Sequence, residues 1–396
     1  MAWEADMKVL LALLLAAALA GCSTTKNVIG DVGGWFGLSG GSAKTKPAEL
    51  AEIKPVAKLT RLWDVNVGAG KPYAFSPASD GQAVYAASAD GRVVKLDLAT
   101  GKEVWRAEAK QSLSAGVGVG SGVVLVGTPK GQVLAFRTDN GQLDWTATLS
   151  GEILTAPVAA GGLVAARGND GRIWLFDAAD GKQRWVYSRV LPALISRLQG
   201  DLLLTSRALF AGHPGGKLTA LSLANGAPLW EANVALPKGV TELERIADVA
   251  GALAADDHLV CAGAYQGRLG CFDQTTGNPV WMRDFSSPGG VAMGPRFLFA
   301  ADEHSIIQGY DKLRGASLWK QESLLDREVL TPVVFSKYVA VADYQGIVHL
   351  LSLEEGALVG RAGTDGSAVI GHMQALGDDG LLVQTVNGGV YAFKIQ

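Results

Sequence analysis

Side chains that could carry out chemistry are few in this sequence, and their spacing does not bring them together. The histidines lie far apart along the chain: His213, His258, His304, His349 and His372. None of them falls at the spacing of metal ligands, and the C-x-x-C-H motif of c-type haem does not occur. The acidic pairs at 256–257, 354–355 and 378–379 stand at predicted turns, where water would solvate them. We therefore predict no metal site, no cofactor and no catalytic residue, and hence a protein that is not an enzyme.

Composition restricts the class of protein further. Of the 396 residues, 48% are hydrophobic and 51 are glycine, while only 18% are charged. Many glycines among short apolar runs favour strands and tight turns over helices. The net charge is −3 and no block of lysine or arginine stands out, which argues against a nucleic-acid partner.

The N-terminal segment predicts export and a lipid anchor. An apolar run at 9–20 follows Met7-Lys8; it is too short to span a bilayer and fits the core of a signal peptide. The tetrapeptide ending at Cys22, Leu-Ala-Gly-Cys, resembles the bacterial lipobox, whose cysteine takes a diacylglyceryl group and becomes the mature N-terminus. An ordinary signal peptide with an incidental cysteine is the alternative. Ser23 is not the Asp of inner-membrane retention, which favours the periplasmic face of the outer membrane.

Three segments follow from this pattern. Residues 1–21 are predicted to be the signal peptide, with translation starting at Met7 because two acidic residues precede it. Residues 22–57 are rich in Gly, Ser, Thr and Lys without a sustained period, so we expect a flexible tether. Within the tether, Trp35-Phe36 could touch the membrane or a partner, or could form a loosely packed apolar pair. Residues 58–396 form the folded domain.

The folded domain is built from a repeat. In each unit a glycine or serine opens a strand: Gly91, Gly131, Gly171, Gly216, Gly267, Ser305 and Gly346. Fourteen residues later stands a tryptophan, except in the last unit, where the position is Gly360. Four residues before that end position is a second glycine, which can take a positive φ in a turn: Gly101, Gly141, Gly181, Gly226, Gly277, Gly315 and Gly356.

The period predicts an all-β fold, an eight-bladed β-propeller of four-stranded antiparallel blades. Each unit holds three clear strands and a weaker fourth, and the opening positions recur every 38–51 residues. Trp63 has no opening strand before it, and the chain ends after the strand that Gly389 opens. These two half-units make an eighth blade, so the N-terminal strand is expected to pair with the C-terminal blade and close the ring.

Seven tryptophans fall in this register. A large indole repeated at one position is best explained by packing between neighbouring blades. We therefore predict blade-docking residues and not a ligand cage: Trp63, Trp105, Trp145, Trp185, Trp230, Trp281 and Trp319.

Cys261 and Cys271 flank a predicted hairpin turn at Gln266-Gly267. They could face each other across two neighbouring strands, and the periplasm permits a disulfide. Cross-strand disulfides are often strained, so the sequence leaves the pairing open.

The repeat resembles that of two families. Pyrroloquinoline-quinone dehydrogenases are also eight-bladed, but they carry adjacent cysteines, a calcium site and long insertions that this sequence lacks. From Cys22 onward the chain is more similar to the BamB family, the propeller lipoproteins of the outer-membrane β-barrel assembly (BAM) machinery. The likeness covers the lipobox, the tether, the tryptophan-docked blades and the joining of the two chain ends.

The most specific likeness to the BamB family lies in TELERIADV at 241–249. It resembles the family's T-E-x-x-R-x-x-D-x-D segment, although Ala250 replaces the second Asp. The matching residues are Thr241, Glu242, Arg245 and Asp248.

A second loop, LPALISRLQGD at 191–201, resembles the family's loop that bears leucine and arginine. Leu194 and Arg197 match, while Ser196 stands where the family has a second leucine. In the family these two loops grip the periplasmic POTRA domains of BamA, the barrel-forming subunit.

The resemblance therefore implies that Leu194, Arg197, Arg245 and Asp248 bind a partner. An aliphatic anchor beside charge-assisted hydrogen bonds suits such an interface. The alternative is that the two arginines and the aspartate pair with one another and only order the loops.

The function implied is a non-enzymatic scaffold on the periplasmic face of the outer membrane. It would hold BamA, meet the other BAM lipoproteins indirectly and assist the insertion of outer-membrane proteins. A periplasmic propeller that handles a quinone or a sugar is the alternative, and a different envelope complex with the same fold is a third reading.

Overall fold

Apolar residues at alternate positions, interrupted by glycine turns, form antiparallel strands throughout the described part of the chain. That part comprises residues 46–196, 198–241 and 243–396 of a computed structural model. It contains 33 β-strands and no α-helix. The predicted signal peptide, Cys22, Trp35-Phe36 and most of the predicted tether lie outside the described residues.

The strands of the first half alternate with short turns. They are β1 (Leu59–Asn66), β2 (Ala78–Ser79), β3 (Ala83–Ala87), β4 (Arg92–Asp97), β5 (Glu103–Glu108), β6 (Ala115–Gly120), β7 (Val123–Gly127), β8 (Gln132–Arg137), β9 (Leu143–Thr148), β10 (Val158–Ala160), β11 (Leu163–Arg167), β12 (Ile173–Asp177), β13 (Gln183–Tyr187), β14 (Leu202–Leu204), β15 (Leu209–His213), β16 (Lys217–Leu221) and β17 (Pro228–Asn233).

The second half continues the same pattern to the C-terminus. Its strands are β18 (Asp248–Val249), β19 (Ala254–Ala255), β20 (Leu259–Tyr265), β21 (Arg268–Asp273), β22 (Pro279–Asp284), β23 (Val291–Met293), β24 (Phe297–Ala301), β25 (Ile307–Asp311), β26 (Ser317–Gln321), β27 (Val333–Phe335), β28 (Tyr338–Ala342), β29 (Ile347–Ser352), β30 (Leu358–Gly363), β31 (Gln374–Leu376), β32 (Gly380–Gln384) and β33 (Gly389–Ile395).

Eight antiparallel sheets result, and each is one blade. Blades 1 to 4 are β2–β5, β6–β9, β10–β13 and β14–β17. Blade 5 is β18–β22, in which β18 and β19 both pair with β20; blades 6 and 7 are β23–β26 and β27–β30. Blade 8 combines β31, β32 and β33 with β1. The prediction of an all-β propeller with eight antiparallel blades is confirmed.

The first strand of each blade lies innermost. Innermost strands of successive blades lie side by side, and β31 of blade 8 lies beside β2 of blade 1, so the blades form a ring around a central channel. At the outer edge of blade 8, β1 runs antiparallel to β33, with Leu59 opposite Ile395 and Asn66 opposite Gly389. The first and last strands of the described chain therefore belong to one sheet.

Each of the seven tryptophans in the register docks on the following blade. Its indole Nε1 donates a hydrogen bond of 2.7–3.1 Å to a backbone carbonyl there, as from Trp105 to Thr138. The turn glycine of that following blade lies against the indole, Gly141 in this case. Its φ is +72°, and a Cβ on it would come within 2.6 Å of the ring. The second glycine of the repeat is therefore required by both the turn and the indole.

The contact between blades 7 and 8 has no docking tryptophan. Gly360 stands where the tryptophan would be, and a Cβ there would lie 2.5 Å from the carbonyl oxygen of Ala57. The amides of Val56 and Ala57 both donate to the carbonyl of Val359. The chain entering β1 thus occupies the space that the indole fills elsewhere, which explains why this unit lacks the tryptophan.

Residues 46–57, assigned from sequence to the flexible tether, contact the propeller. Arg327 donates to the carbonyl of Ala48 at 3.0 Å, and Arg361 donates to the carbonyl of Ala51 at 2.6 Å. Leu50 packs against the core between blades 6 and 7. The described end of the predicted tether is therefore held by hydrogen bonds to its backbone, which a search for side-chain periodicity does not detect.

The two cysteines of blade 5 are directly opposite in the register of β20 and β21. Cys261 and Cys271 are joined by a disulfide, and their Cα atoms lie 4.1 Å apart. The structure thereby decides the pairing that the sequence left open.

Candidate functional site

Two long connections lie on the same rim of the propeller. Residues 188–201 join the outer strand of blade 3 to the inner strand of blade 4, and residues 234–247 make the corresponding connection to blade 5. Strands alternate in direction within a blade, so these connections emerge on the rim that also carries each turn between the second and third strands. We refer to them as loop A (188–201) and loop B (234–247). Loop A contains the first segment that resembles a partner-binding loop, and loop B contains the second except for its last two residues, which form β18.

Asp248, the first residue after loop B, holds loop A and the turn between β15 and β16 by hydrogen bonds. One carboxylate oxygen accepts the amide of Ser196 in loop A at 2.6 Å, and the other accepts the amide of Gly215 at 3.0 Å. The Asp248 side chain is buried, with the residue only 2% exposed. Further along, Gly251 exchanges backbone hydrogen bonds of 3.0 Å with Gln199 and Asp201. The base of loop A is therefore fixed to the segment that follows loop B.

Loop B is stabilised internally by a hydrogen-bonded turn. The carboxylate of Glu244 accepts the amides of Val240 and Thr241, while the Thr241 hydroxyl accepts the amide of Glu244. These amide donors lower the pKa of Glu244, because they favour the ionised form. Arg245 donates from Nε to the carbonyl of Gly239 at 3.1 Å. The turn holds its shape by reciprocal capping, as at a helix N-terminus.

Both loops present large apolar side chains to water. Val190 and Leu194 of loop A are 93% and 45% exposed, and Val240 and Leu243 of loop B are 90% and 68% exposed. Scattered exposed leucines are common, but several in two loops on one rim suit a partner contact. The geometry therefore offers aliphatic anchors on a fixed backbone.

The four predicted partner-binding residues take different places in this arrangement. Leu194 is exposed, and Arg245 lies in the exposed turn of loop B. Asp248 does not face outward as a partner contact would. Its side chain is buried, and both carboxylate oxygens accept hydrogen bonds from backbone amides. Arg197 falls outside the described residues, as does Glu242 of the matched segment. Asp248 thus holds the backbone of loop A, while its role in binding a partner and the alternative that it pairs with the two arginines both stay predictions.

Charged side chains lie beneath loop A. Arg167, the last residue of β11, is buried and donates to the carbonyl of Gly200 at 2.6 Å. Burial lowers the pKa of Arg167 to about 10 although Asp201 partly compensates. Burial also holds the pKa of His213 well below its usual value, with Arg167 adding to the shift. At the start of loop A, Arg189 pairs with Glu231 at 3.1 Å.

An ion pair joins loop A to the opposite side of the ring. His372 Nε2 lies 2.8 Å from Asp201 Oδ2. Asp201 precedes the inner strand of blade 4, whereas His372 precedes the inner strand of blade 8, four blades away. In a ring of eight blades these positions are diametrically opposed, so the pair crosses the mouth of the central channel.

Reasoning from sequence missed Arg167, Asp201 and His372, although Arg167 carried a signal. It stands four residues before the opening glycine of its unit, a position that is Ala or Gly in most other units: Ala87, Gly127, Gly212, Gly263, Ala301 and Ala342. A long cation at a position that is otherwise small marks a departure from the repeat. The His372–Asp201 pair had no such signal, because 171 positions separate the two residues.

Two further features are absent from the described ranges. No three His, Cys, Asp or Glu side chains are grouped there so that they could hold a metal ion. Within the same ranges, no helix is long and apolar enough to cross a membrane.

Eight blades, of which seven receive a docking tryptophan from the preceding blade, and two ordered loops on one rim define a propeller of the pyrroloquinoline-quinone-like repeat type. The matching family model is described as outer membrane protein assembly factor BamB, and it matches residues 60–113 and 89–321. The chain belongs to the BamB family.

Individual relatives agree with this assignment. The outer membrane protein assembly factor BamB of Burkholderia pseudomallei (strain K96243) is 40% identical over 376 residues, which cover 95% of this chain and 94% of that protein. The crystal structure of BamB from Moraxella catarrhalis has a TM-score of 0.77 at 26% identity, covering 85% of this chain and 99% of that one.

A quinohemoprotein alcohol dehydrogenase from Comamonas testosteroni superposes with a TM-score of 0.67, covering 85% of this chain and 76% of that one. At 13% identity it shares the fold alone. The relatives therefore indicate an assembly factor and do not favour the quinone- or sugar-handling alternative.

Proposed function

We propose that this protein is a lipid-anchored scaffold of the BAM machinery that binds the periplasmic POTRA domains of BamA through loops A and B. It acts on the periplasmic face of the outer membrane, carries acyl chains on Cys22 and meets the other BAM lipoproteins only through BamA. The observation that carries the proposal is the pair of loops fastened by Asp248, with aliphatic side chains exposed on both.

The physical argument rests on preorganisation. Ordering a loop costs free energy at the moment of binding, and a loop already fixed in the free protein avoids much of that cost. Asp248 fixes Ser196, two residues from Leu194, so the leucine is presented on a rigid backbone. A few apolar anchors on such a surface can supply most of the binding energy. Arg197 and Arg245 lie beside these anchors in sequence and would contribute charge-assisted hydrogen bonds to carboxylates of the partner.

The experiment is a titration of the full-length lipoprotein, purified in detergent, against purified BamA. The intact mass of the lipoprotein is measured first, and a Cys22 without acyl chains would contradict the anchor. Wild type is then compared with Leu194→Glu and Val240→Glu, which place a charge on each loop. We expect each variant to bind at least ~10-fold more weakly, because a buried unpaired charge costs well over 1.4 kcal/mol.

The control is Val104→Glu on the outer strand of blade 1, where the valine is 56% exposed. Its binding should equal that of wild type. Melting temperatures of all variants must match, so that a loss of binding is not a loss of fold. No binding by well-folded wild type, or equal binding by all variants, would contradict the proposal.

A further inference from the structure

The ion pair across the channel connects loop A to a rigid part of the ring. The amide of His372 donates to the Ser76 hydroxyl at 2.8 Å, and two residues on, Gln374 accepts the amide of Ser79 at 2.8 Å. The backbone of His372 is therefore held where the inner strand of blade 8 is hydrogen-bonded to blade 1. Its ring reaches Asp201, the last residue of loop A, whose own backbone is held by Gly251 of blade 5.

We infer that His372 is a positioning residue for the partner surface, and that its protonation makes BamA binding depend on pH. The inference rests on the proposed function. It follows from geometry, because Asp201 is the last residue of the loop that presents Leu194. Within the described chain, Asp201 is also the one residue of loop A that forms an ion pair with His372. When the imidazolium is present, the base of loop A is tied to both sides of the channel.

The charges around the pair favour this state. Burial alone would lower the pKa of His372, but the charge and the hydrogen bond of Asp201 outweigh it and raise the pKa above the usual value of 6.5. Burial likewise opposes ionisation of Asp201, and His372 and Arg167 together overcome it and lower the pKa of Asp201. Among the described residues, Arg167 on blade 3 is the further charged group that acts on this pair of His372 on blade 8 and Asp201 on blade 4.

The direction of the pH effect follows from the raised pKa of His372. A group whose pKa is higher in the folded state stabilises that state fully below its unfolded pKa, and the contribution disappears as the pH rises through the folded value. Loop A is therefore most firmly held near pH 6 and less so at pH 8. The His372 side chain is 39% exposed, so the pair contributes as a partly solvated ion pair does. We expect binding about two- to fivefold weaker at pH 8 than at pH 6.

The test repeats the titration of full-length lipoprotein with BamA at pH 6 and pH 8 for wild type and His372→Gln. Glutamine keeps a hydrogen-bond donor for Asp201 but does not titrate, so the variant should lose the pH-dependent step. Comparison of the two proteins removes any titration that belongs to BamA itself. The matched control is His304→Gln, which removes another histidine–carboxylate pair, to Asp326 at 3.1 Å; His304 lies in the turn between the second and third strands of blade 6. This control should keep the wild-type step.

A partner-free measurement separates this inference from the proposed function. A spin label on Ala193→Cys reports the mobility of loop A, since Cys261 and Cys271 are joined to each other, and labelling the protein without this substitution gives any background from Cys22. Mobility should increase between pH 6 and pH 8 in the wild-type background and be independent of pH with His372→Gln. If wild type binds BamA with the same affinity at both pH values, or if His372→Gln keeps the step, the inference is wrong while the scaffold stands. If wild type does not bind BamA but the mobility of the label depends on pH, the proposed scaffold function is wrong and the His372–Asp201 contact still controls loop A.

Discussion

Replacing Asp248 should destabilise the protein far more than its single charge suggests. The carboxylate is buried and satisfies two backbone amides, those of Ser196 and Gly215, at 2.6 and 3.0 Å. A buried donor left without an acceptor costs about 1–3 kcal/mol. The Ser196 amide lies in a half-buried loop where water can partly replace the carboxylate. We therefore expect Asp248→Ala to lower the free energy of unfolding by about 2–4 kcal/mol.

The assay is urea denaturation followed by tryptophan fluorescence, with two further variants. Asp248→Asn keeps one acceptor oxygen but turns an NH₂ group toward the other amide, so it should lose about half as much stability. Asp257→Ala removes an exposed carboxylate near the same blade and should stay within ~0.5 kcal/mol of wild type. If Asp248→Ala unfolds at the same urea concentration as Asp257→Ala, the carboxylate does not fasten the loops and the account of this site is refuted.

Two other predictions concern the ring. Gly181→Ala should lower the melting temperature markedly more than Gly161→Ala. Both glycines have positive φ, but only Gly181 lies against an indole, which would be 2.6 Å from an added Cβ. Equal losses of melting temperature would contradict the docking argument. Arg361→Met should speed protease cleavage within 46–57, since its guanidinium holds that segment, whereas Arg296→Met, which removes a 77% exposed guanidinium, should not. Identical digestion patterns would show that the segment is held by other contacts.

The repeat could be read from sequence because each blade places the same demands on the same positions. A turn glycine with positive φ that also accommodates an indole tolerates no other residue, so the spacing from Gly141 to Trp145 recurs and reveals the number of blades. The lost tryptophan at Gly360 was visible, but its cause was not. The cause is the backbone of Ala57, which reaches that position only because the chain ends meet in blade 8.

Contacts that form only in the closed ring cannot be predicted from the periodicity of the sequence. The pairing of His372 with Asp201 needs the ring diameter as well as the blade count. Loops A and B were located by their resemblance to segments of the BamB family. That resemblance indicates the residue types but not whether their side chains are buried. Asp248 illustrates the difference, because a charged residue in a matched segment suggests a surface contact, whereas the fold turns it inward to cap two amides. Only the packed structure shows that its carboxylate holds two backbone amides.

In the function proposed here, loop A lies against BamA in the cell. The most direct measurement is site-specific photo-crosslinking in intact cells, with a benzophenone amino acid at Leu194 and, as a control, at Val104 on blade 1. We predict a crosslinked product that contains BamA from position 194 and none from position 104. Crosslinks to BamA from both positions, or from neither in a protein that reaches the outer membrane, would contradict it.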